Sequence, residues 1–234
     1  MDCELRQRGT LVKRCVVCIA IFALFVMQAP AQTNPLRDSV AIVTEKLEYA
    51  PDSEELLLKR AGYNIELEQW DYAKTDYDRV LRRNPNNLTA LFFRAYVNER
   101  LGRYGFSRLD YMNLLKIVPN HFEAKLGLAL LNEKDKHLTE AMDQINQLVE
   151  QFPDSALAYA ARAGIEAERG MHLLAEYDYS EALLRDPTNK DYLLARIEEL
   201  IALERYADAR KKLDLLVGMG ISRVSLRSYY DRLH

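Results

Sequence analysis

Beyond its first 31 residues this 234-residue chain has no cysteine, because Cys3, Cys15 and Cys18 all fall in the opening segment. The remainder therefore offers no thiol nucleophile and no thiolate metal ligand. Glycine (9) and proline (7) are scarce while 49% of residues are hydrophobic and 29% charged, a composition of ordered protein that excludes disorder throughout. A basic surplus is also missing. The formal charge is −3, and residues after position 31 carry 28 positive against 33 negative side chains, a balance of −5 that argues against a nucleic-acid binder.

The opening segment reads differently from the rest. A net basic stretch, "MDCELRQRGTLVKR", leads into the 13-residue apolar run "CVVCIAIFALFVM", and "QAPAQ" then presents Ala29 and Ala31 around a cleavage point. This resembles a secretory signal peptide cut after Ala31. The alternative is an uncleaved anchor, against which the run falls short of the about 20 residues needed to span a bilayer. Cys15-x-x-Cys18 reads as two apolar signal residues rather than a redox pair, and no cysteine follows the small residues to carry a lipid.

The few prolines are regularly placed. Pro51, Pro85, Pro119, Pro153 and Pro187 stand 34 residues apart, each between apolar segments of helical period. A proline there must end a helix, since it lacks the amide hydrogen and disfavours helical geometry in the residue before it. With Pro85 set at position 32 of a 34-residue unit, units begin at Glu54, Leu88, Phe122, Ala156 and Lys190. Position 8 then reads Ala61, Ala95, Ala129, Ala163 and Ile197, and position 20 reads Ala73, Ser107, Ala141, Ala175 and Ala209. Small residues at two fixed places let two helices approach closely. Position 24 (Tyr77, Tyr111, Ile145, Tyr179, Leu213) and position 27 (Val80, Leu114, Leu148, Ala182, Leu216) give the second helix an apolar stripe. Gly102 and Gly170 fall at position 15, between the helices.

These columns resemble the tetratricopeptide repeat, in five units that share one register over residues 54–223. The third and fifth units depart from it, with Lys125 at position 4 and Ile221 in place of the closing proline. The resemblance implies an all-α fold, an α-solenoid of five helix-turn-helix repeats stabilised by contacts between neighbours. Residues 32–53, with Val43 and Pro51 in second-helix places and Asn34 and Pro35 as cap and first turn, are expected to form an N-terminal capping half-repeat. Residues 224–234 are expected to form a C-terminal capping helix whose Leu226, Tyr229, Tyr230 and Leu233 cover the last unit.

Two further columns concern internal chemistry. Position 7 holds Arg60, Arg94, Leu128, Arg162 and Arg196, and position 23 holds Asp76, Asp110, Gln144, Asp178 and Lys212. Where arginine becomes leucine, aspartate becomes glutamine, which predicts an arginine fork on a carboxylate inside each unit. The competing reading is an arginine row that binds acidic ligands. Position 11 holds Asn64, Asn98 and Asn132, and the expectation is amides bonded to a neighbouring helix backbone rather than to a ligand.

No catalytic, cofactor-binding or metal-binding set emerges. His121, His137, His172 and His234 lie near unit boundaries, turns and the terminus, without metal-ligand spacing, and read as solvated positions. The resemblance instead implies a concave surface lined by the first helix of each unit. Positions 2, 5, 9, 12 and 13 face it, so Leu58, Phe92, Tyr96, Glu99, Arg100, Leu126 and Leu130 are the expected partner-binding groove, bordered by Glu133 and Lys134. The competing reading covers this strip with the chain's own caps. The lysine and asparagine pattern by which some family members clamp a carboxylate is not met around Lys59. The expectation is an exported, non-catalytic scaffold in the periplasm, without cofactor, nucleic acid or a membrane span after cleavage, that binds a protein or peptide in envelope assembly or secretion. The alternative is an accessory of an envelope enzyme that holds a short peptide or peptidoglycan-related ligand. Tyr229 and Tyr230 leave homo-oligomers through the terminal helices open.

Overall fold

In each unit the residue before the first helix accepts an amide hydrogen that the helix cannot satisfy itself. Ser53, Asn87, His121, Ser155 and Asn189 occupy that place, and their side chains accept from Leu56, Ala90, Ala124, Ala158 and Tyr192 respectively. The proline sits two residues earlier, so the chain stops one helix and caps the next within four residues. The resulting computed structural model describes residues 34–233; the expected signal peptide with its three cysteines and His234 lie outside the described residues.

Among the described residues the chain runs as α1 (Pro35–Tyr49), α2 (Glu54–Glu66), α3 (Trp70–Arg83), α4 (Leu88–Arg100), α5 (Tyr104–Ile117), α6 (Phe122–Lys134), α7 (Leu138–Gln151), α8 (Ala156–Glu168), α9 (His172–Arg185), α10 (Lys190–Ala202), α11 (Tyr206–Gly218) and α12 (Arg227–Tyr230). It is an all-α solenoid. Each helix packs on the next, and the first helices of neighbouring units also touch, α2 on α4, α4 on α6 and α6 on α8. That second set of contacts lines up the first helices of the first four units along a common face.

The hinge inside each unit is equally regular. Position 15 is left-handed in all five units, as Glu68 (φ 55°), Gly102 (70°), Lys136 (63°), Gly170 (72°) and Glu204 (58°). The following amide reaches back to the carbonyl of position 11, as from Gln69 to Asn64 at 2.7 Å and from His137 to Asn132 at 2.8 Å. This six-residue closure satisfies the last carbonyls of the first helix and turns the chain back on itself.

Positions 8 and 20 have no solvent exposure in any unit. Their small side chains bring the paired helices together, and the stripe at positions 24 and 27 fills the space alongside. Removing a wholly buried member such as Leu148 is expected to cost about 2–5 kcal/mol. At the N-terminal end α1 starts on the Asn34 side chain with Pro35 in its first turn and buries Val43 and Leu47. At the other end the capping helix α12 is a single turn. Leu226 and Leu233 are buried against the fifth unit, with Tyr229 and Tyr230 packed beside them.

Candidate partner-binding groove

The arginine forks close within the units. Arg60 donates to Asp76 from Nε at 2.7 Å and Nη2 at 2.6 Å, and Arg94 donates to Asp110 at 2.8 and 2.6 Å. Arg162 holds Asp178 in the same way, Nη2 to Oδ1 at 2.8 Å. In the third unit, where Leu128 has nothing to offer, Gln144 instead accepts from the Asn132 amide at 2.8 Å. The fifth unit departs, since Lys212 is no acceptor. Arg196 crosses to Glu176 of the fourth unit, at 2.8 and 2.6 Å. Every guanidinium in the column is thus engaged internally, which removes the reading of an arginine row for acidic ligands.

The asparagine column is buried but does not bond to a neighbouring backbone as expected. Asn98 donates to Asp110 at 3.4 Å and Asn132 to Gln144, so these amides serve the position-23 side chain of their own unit. Asn132 Oδ1 accepts from Arg108 Nε at 2.8 Å, while Asn64 and Asn98 keep an unpartnered Oδ1. The fourth unit substitutes Glu166. Burial, and next the nearby Asp178, push its carboxyl up to about 7 against the opposing pull of Arg162.

Two histidines also depart from solvated positions. Nδ1 of His121 caps α6, accepting from Ala124 at 3.3 Å, and its ring stacks on Phe92 at 5.9 Å. His172 is bonded to Glu199 at 2.8 Å. The capping place demands an acceptor at the start of a helix, and imidazole supplies one.

The first helices α4, α6, α8 and α10 line a groove of about 720 Å³. Its shape comes from missing side chains. Positions 5 and 9 carry Leu126 and Leu130 on α6 but shrink to Ala160 and Gly164 on α8, so the floor drops there. Leu157, Ala161 and Ile165 complete that floor, and Tyr192 and Ala195 of α10 form the far wall. A side chain at Gly164 meets nothing closer than the Tyr179 hydroxyl, 3.8 Å away. Burial, then Glu199, push that tyrosine up to about 12, so it remains a neutral hydrogen-bonding hydroxyl. Glu99, Glu133, Glu168 and Asp191 supply carboxylates around the apolar floor, with Lys134 and Lys136 on one side.

Of the residues expected from sequence, the structure brings Glu99, Leu126 and Leu130 together in this groove, and Glu99 is bound to Lys134 at 3.1 Å. Leu58, Phe92, Tyr96 and Arg100 are not part of its lining. Leu58 is half-buried against the N-terminal core, Phe92 meets Tyr111 edge-on at 5.9 Å, and Tyr96 and Arg100 both engage Trp70, at 6.0 and 5.1 Å. Sequence reasoning missed Ala160, Gly164, Tyr192 and Ala195. The signal was available as a drop in side-chain size at positions 5 and 9 of one unit. On the second helices, Phe106, Leu109, Tyr177 and Leu184 stand more than half exposed.

Two sequence families, each described as tetratricopeptide repeat, match residues 58–119 and residues 123–155. The chain is a tetratricopeptide repeat protein. No curated protein matches this tetratricopeptide repeat chain in sequence. Solved structures match it in fold. One is a tetratricopeptide repeat protein from Parabacteroides merdae, at 21% identity over 85% of this chain and 78% of that one, with a TM-score of 0.69. PilW, described as a widely conserved type IV pilus biogenesis factor, matches at 20% identity over 80% and 87%, with a TM-score of 0.70. YrrB, described as a tetratricopeptide repeat protein with an unusual peptide-binding site, matches at 17% identity over 74% and 89%, with a TM-score of 0.52.

Proposed function

We propose that this tetratricopeptide repeat protein is an exported, non-catalytic scaffold that holds a protein or peptide partner in the groove between α4 and α10, in assembly or secretion at the cell envelope. The observation that carries the reading is the groove itself. It has an apolar floor, a charged border and room for an extended segment or one face of a helix. Leu58, Phe92, Tyr96 and Arg100 continue the same face toward the N-terminus as its outer part. Export rests on the basic, apolar and small-residue order of residues 1–31. The fold is shared with a pilus biogenesis factor and with a peptide-binding protein, which is consistent with both halves of the reading.

The test has two readouts. Mass spectrometry of the protein from fractionated cells is expected to show a chain beginning at Gln32 outside the cytoplasm; an intact Met1 form in the cytoplasm would overturn export. Envelope extract passed over the protein is expected to yield a partner that a Leu130→Ala/Gly164→Leu variant loses while staying helical and cooperatively folded. A partner retained by that variant but lost on Phe106→Ser/Tyr177→Ser would move function to the outer face.

A further inference from the structure

Of the four groove carboxylates, Glu133 alone is buried without a partner: Glu99 is held by Lys134, and Glu168 and Asp191 are exposed to water. It is 6% exposed, its Oε2 is sealed from solvent with no hydrogen-bond partner, and it joins none of the ion pairs among the described residues. Other units fill the same repeat position with Ile65, Ala167 and Ile201, or with Glu99, which Lys134 neutralises. A carboxylate with one oxygen sealed and unpartnered weakens the free protein, because water no longer reaches that oxygen and no donor replaces the water. A ligand that brings a cation removes that penalty, and the low-dielectric surroundings strengthen the pair.

The rest of the groove points the same way. Four carboxylates face two lysines, and Lys134 is already held by Glu99 and by the Tyr104 ring at 5.8 Å. An anionic ligand meets net repulsion, and a purely apolar one buries Glu133 further without pairing it. We propose, resting on the groove reading above, that the occupant is an extended segment of a partner protein whose lysine or arginine side chain pairs with Glu133. An adjacent apolar side chain of the segment seats in the hollow over Ala160 and Gly164. Alternation of side chains along an extended segment presents a cationic and an apolar group to separate subsites of one groove.

The experiment is selection of a displayed random-peptide library on the full chain, followed by affinity measurement with Gly164→Leu and Glu133→Gln variants shown to be helical and to melt cooperatively. The expected peptides share one basic position, lose all binding to Gly164→Leu and bind Glu133→Gln at least tenfold more weakly. Replacing that basic residue by norleucine is expected to cost the parent tenfold and the Glu133→Gln variant little. The free Glu133→Gln protein is also expected to melt higher than the parent. Peptides that depend on Gly164 yet carry no basic position, or bind Glu133→Gln as well as the parent, would overturn the inference and leave the groove reading intact. Selected peptides indifferent to Gly164→Leu, or matching a segment of this chain, would overturn the partner reading as well.

Discussion

Asp178 is held by Arg162 on one side, Nη2 to Oδ1 at 2.8 Å, and pressed by Glu166 on the other, in a site where Glu166 is 4% exposed. In the second and third units the same column presents asparagine, whose amide donates to the position-23 side chain. A glutamate can imitate that donor only when protonated. Burial and Asp178 favour that form, lifting its carboxyl to about 7 from an ordinary 4.5. The folded protein then binds this proton more tightly than the unfolded chain. Its contribution is complete below about pH 4.5 and is lost as pH rises through about 7. Stability from this group therefore falls across that window, by at most about 3 kcal/mol. Glu166→Gln is expected to flatten the slope and stabilise the protein at pH 8, as read from urea midpoints between pH 5 and 8. An unchanged slope would remove Glu166 as its source.

Two helical glycines with opposite surroundings test the packing. A side chain on Gly127 of α6 would lie 2.7 Å from the buried Tyr111 ring, whereas one on Gly62 of α2 meets nothing within 4 Å. Alanine gains about 1 kcal/mol of helix propensity at either place, but overpacking a rigid ring costs about 1–3 kcal/mol. Gly62→Ala is thus expected to raise the melting temperature and Gly127→Ala to lower it. A Tyr111→Leu background should spare Gly127→Ala that loss.

The repeat was legible because its signals are positional. Five prolines and two columns of small residues report helix ends and close approaches, which any side chain must respect wherever the unit lies in the stack. The groove was less legible, because Phe92 and Tyr96 look like a contact surface in sequence but are half-buried against Tyr111, His121 and Trp70. The recess comes from Ala160 and Gly164, and a search for large apolar side chains passes over small ones. Asn98 and Asn132 are buried, but their partners are the position-23 side chains across the helix pair, which spacing within one helix does not report.

The left-handed hinges make a local prediction. Gly102 and Gly170 adopt that conformation without steric cost, while Glu68, Lys136 and Glu204 hold it despite a β-carbon. Lys136→Gly and Glu204→Gly are each expected to stabilise the fold by about 1 kcal/mol, and Gly170→Ala to destabilise it by a similar amount. Thermal melts of the three variants at one pH check the pattern. The idea fails if the glycine variants melt lower.

Arg196 raises a question about cooperativity. The other forks tie two helices of one unit, and Arg94 and Arg162 reach the preceding unit only with a third bond, to Asp78 at 2.8 Å and Asn146 at 3.2 Å. Arg196 instead directs both its bonds to Glu176 of the fourth unit, a carboxylate that Arg205 also reaches at 3.1 Å. In a linear stack, stability is a sum of unit terms and nearest-neighbour terms, so these bonds belong to the boundary rather than to either unit. Glu176→Gln weakens both at once and leaves Arg196 poorly paired, at a cost of about 1–3 kcal/mol. Native-state hydrogen exchange should then show protection lost in α10 and α11 while α2 to α7 stay as protected as in the parent. Arg60→Met, which breaks a fork inside the first unit, should instead lower protection in α2 and α3. If Glu176→Gln lowers protection evenly along the whole chain, the solenoid unfolds as one unit and the crossed fork has no boundary role.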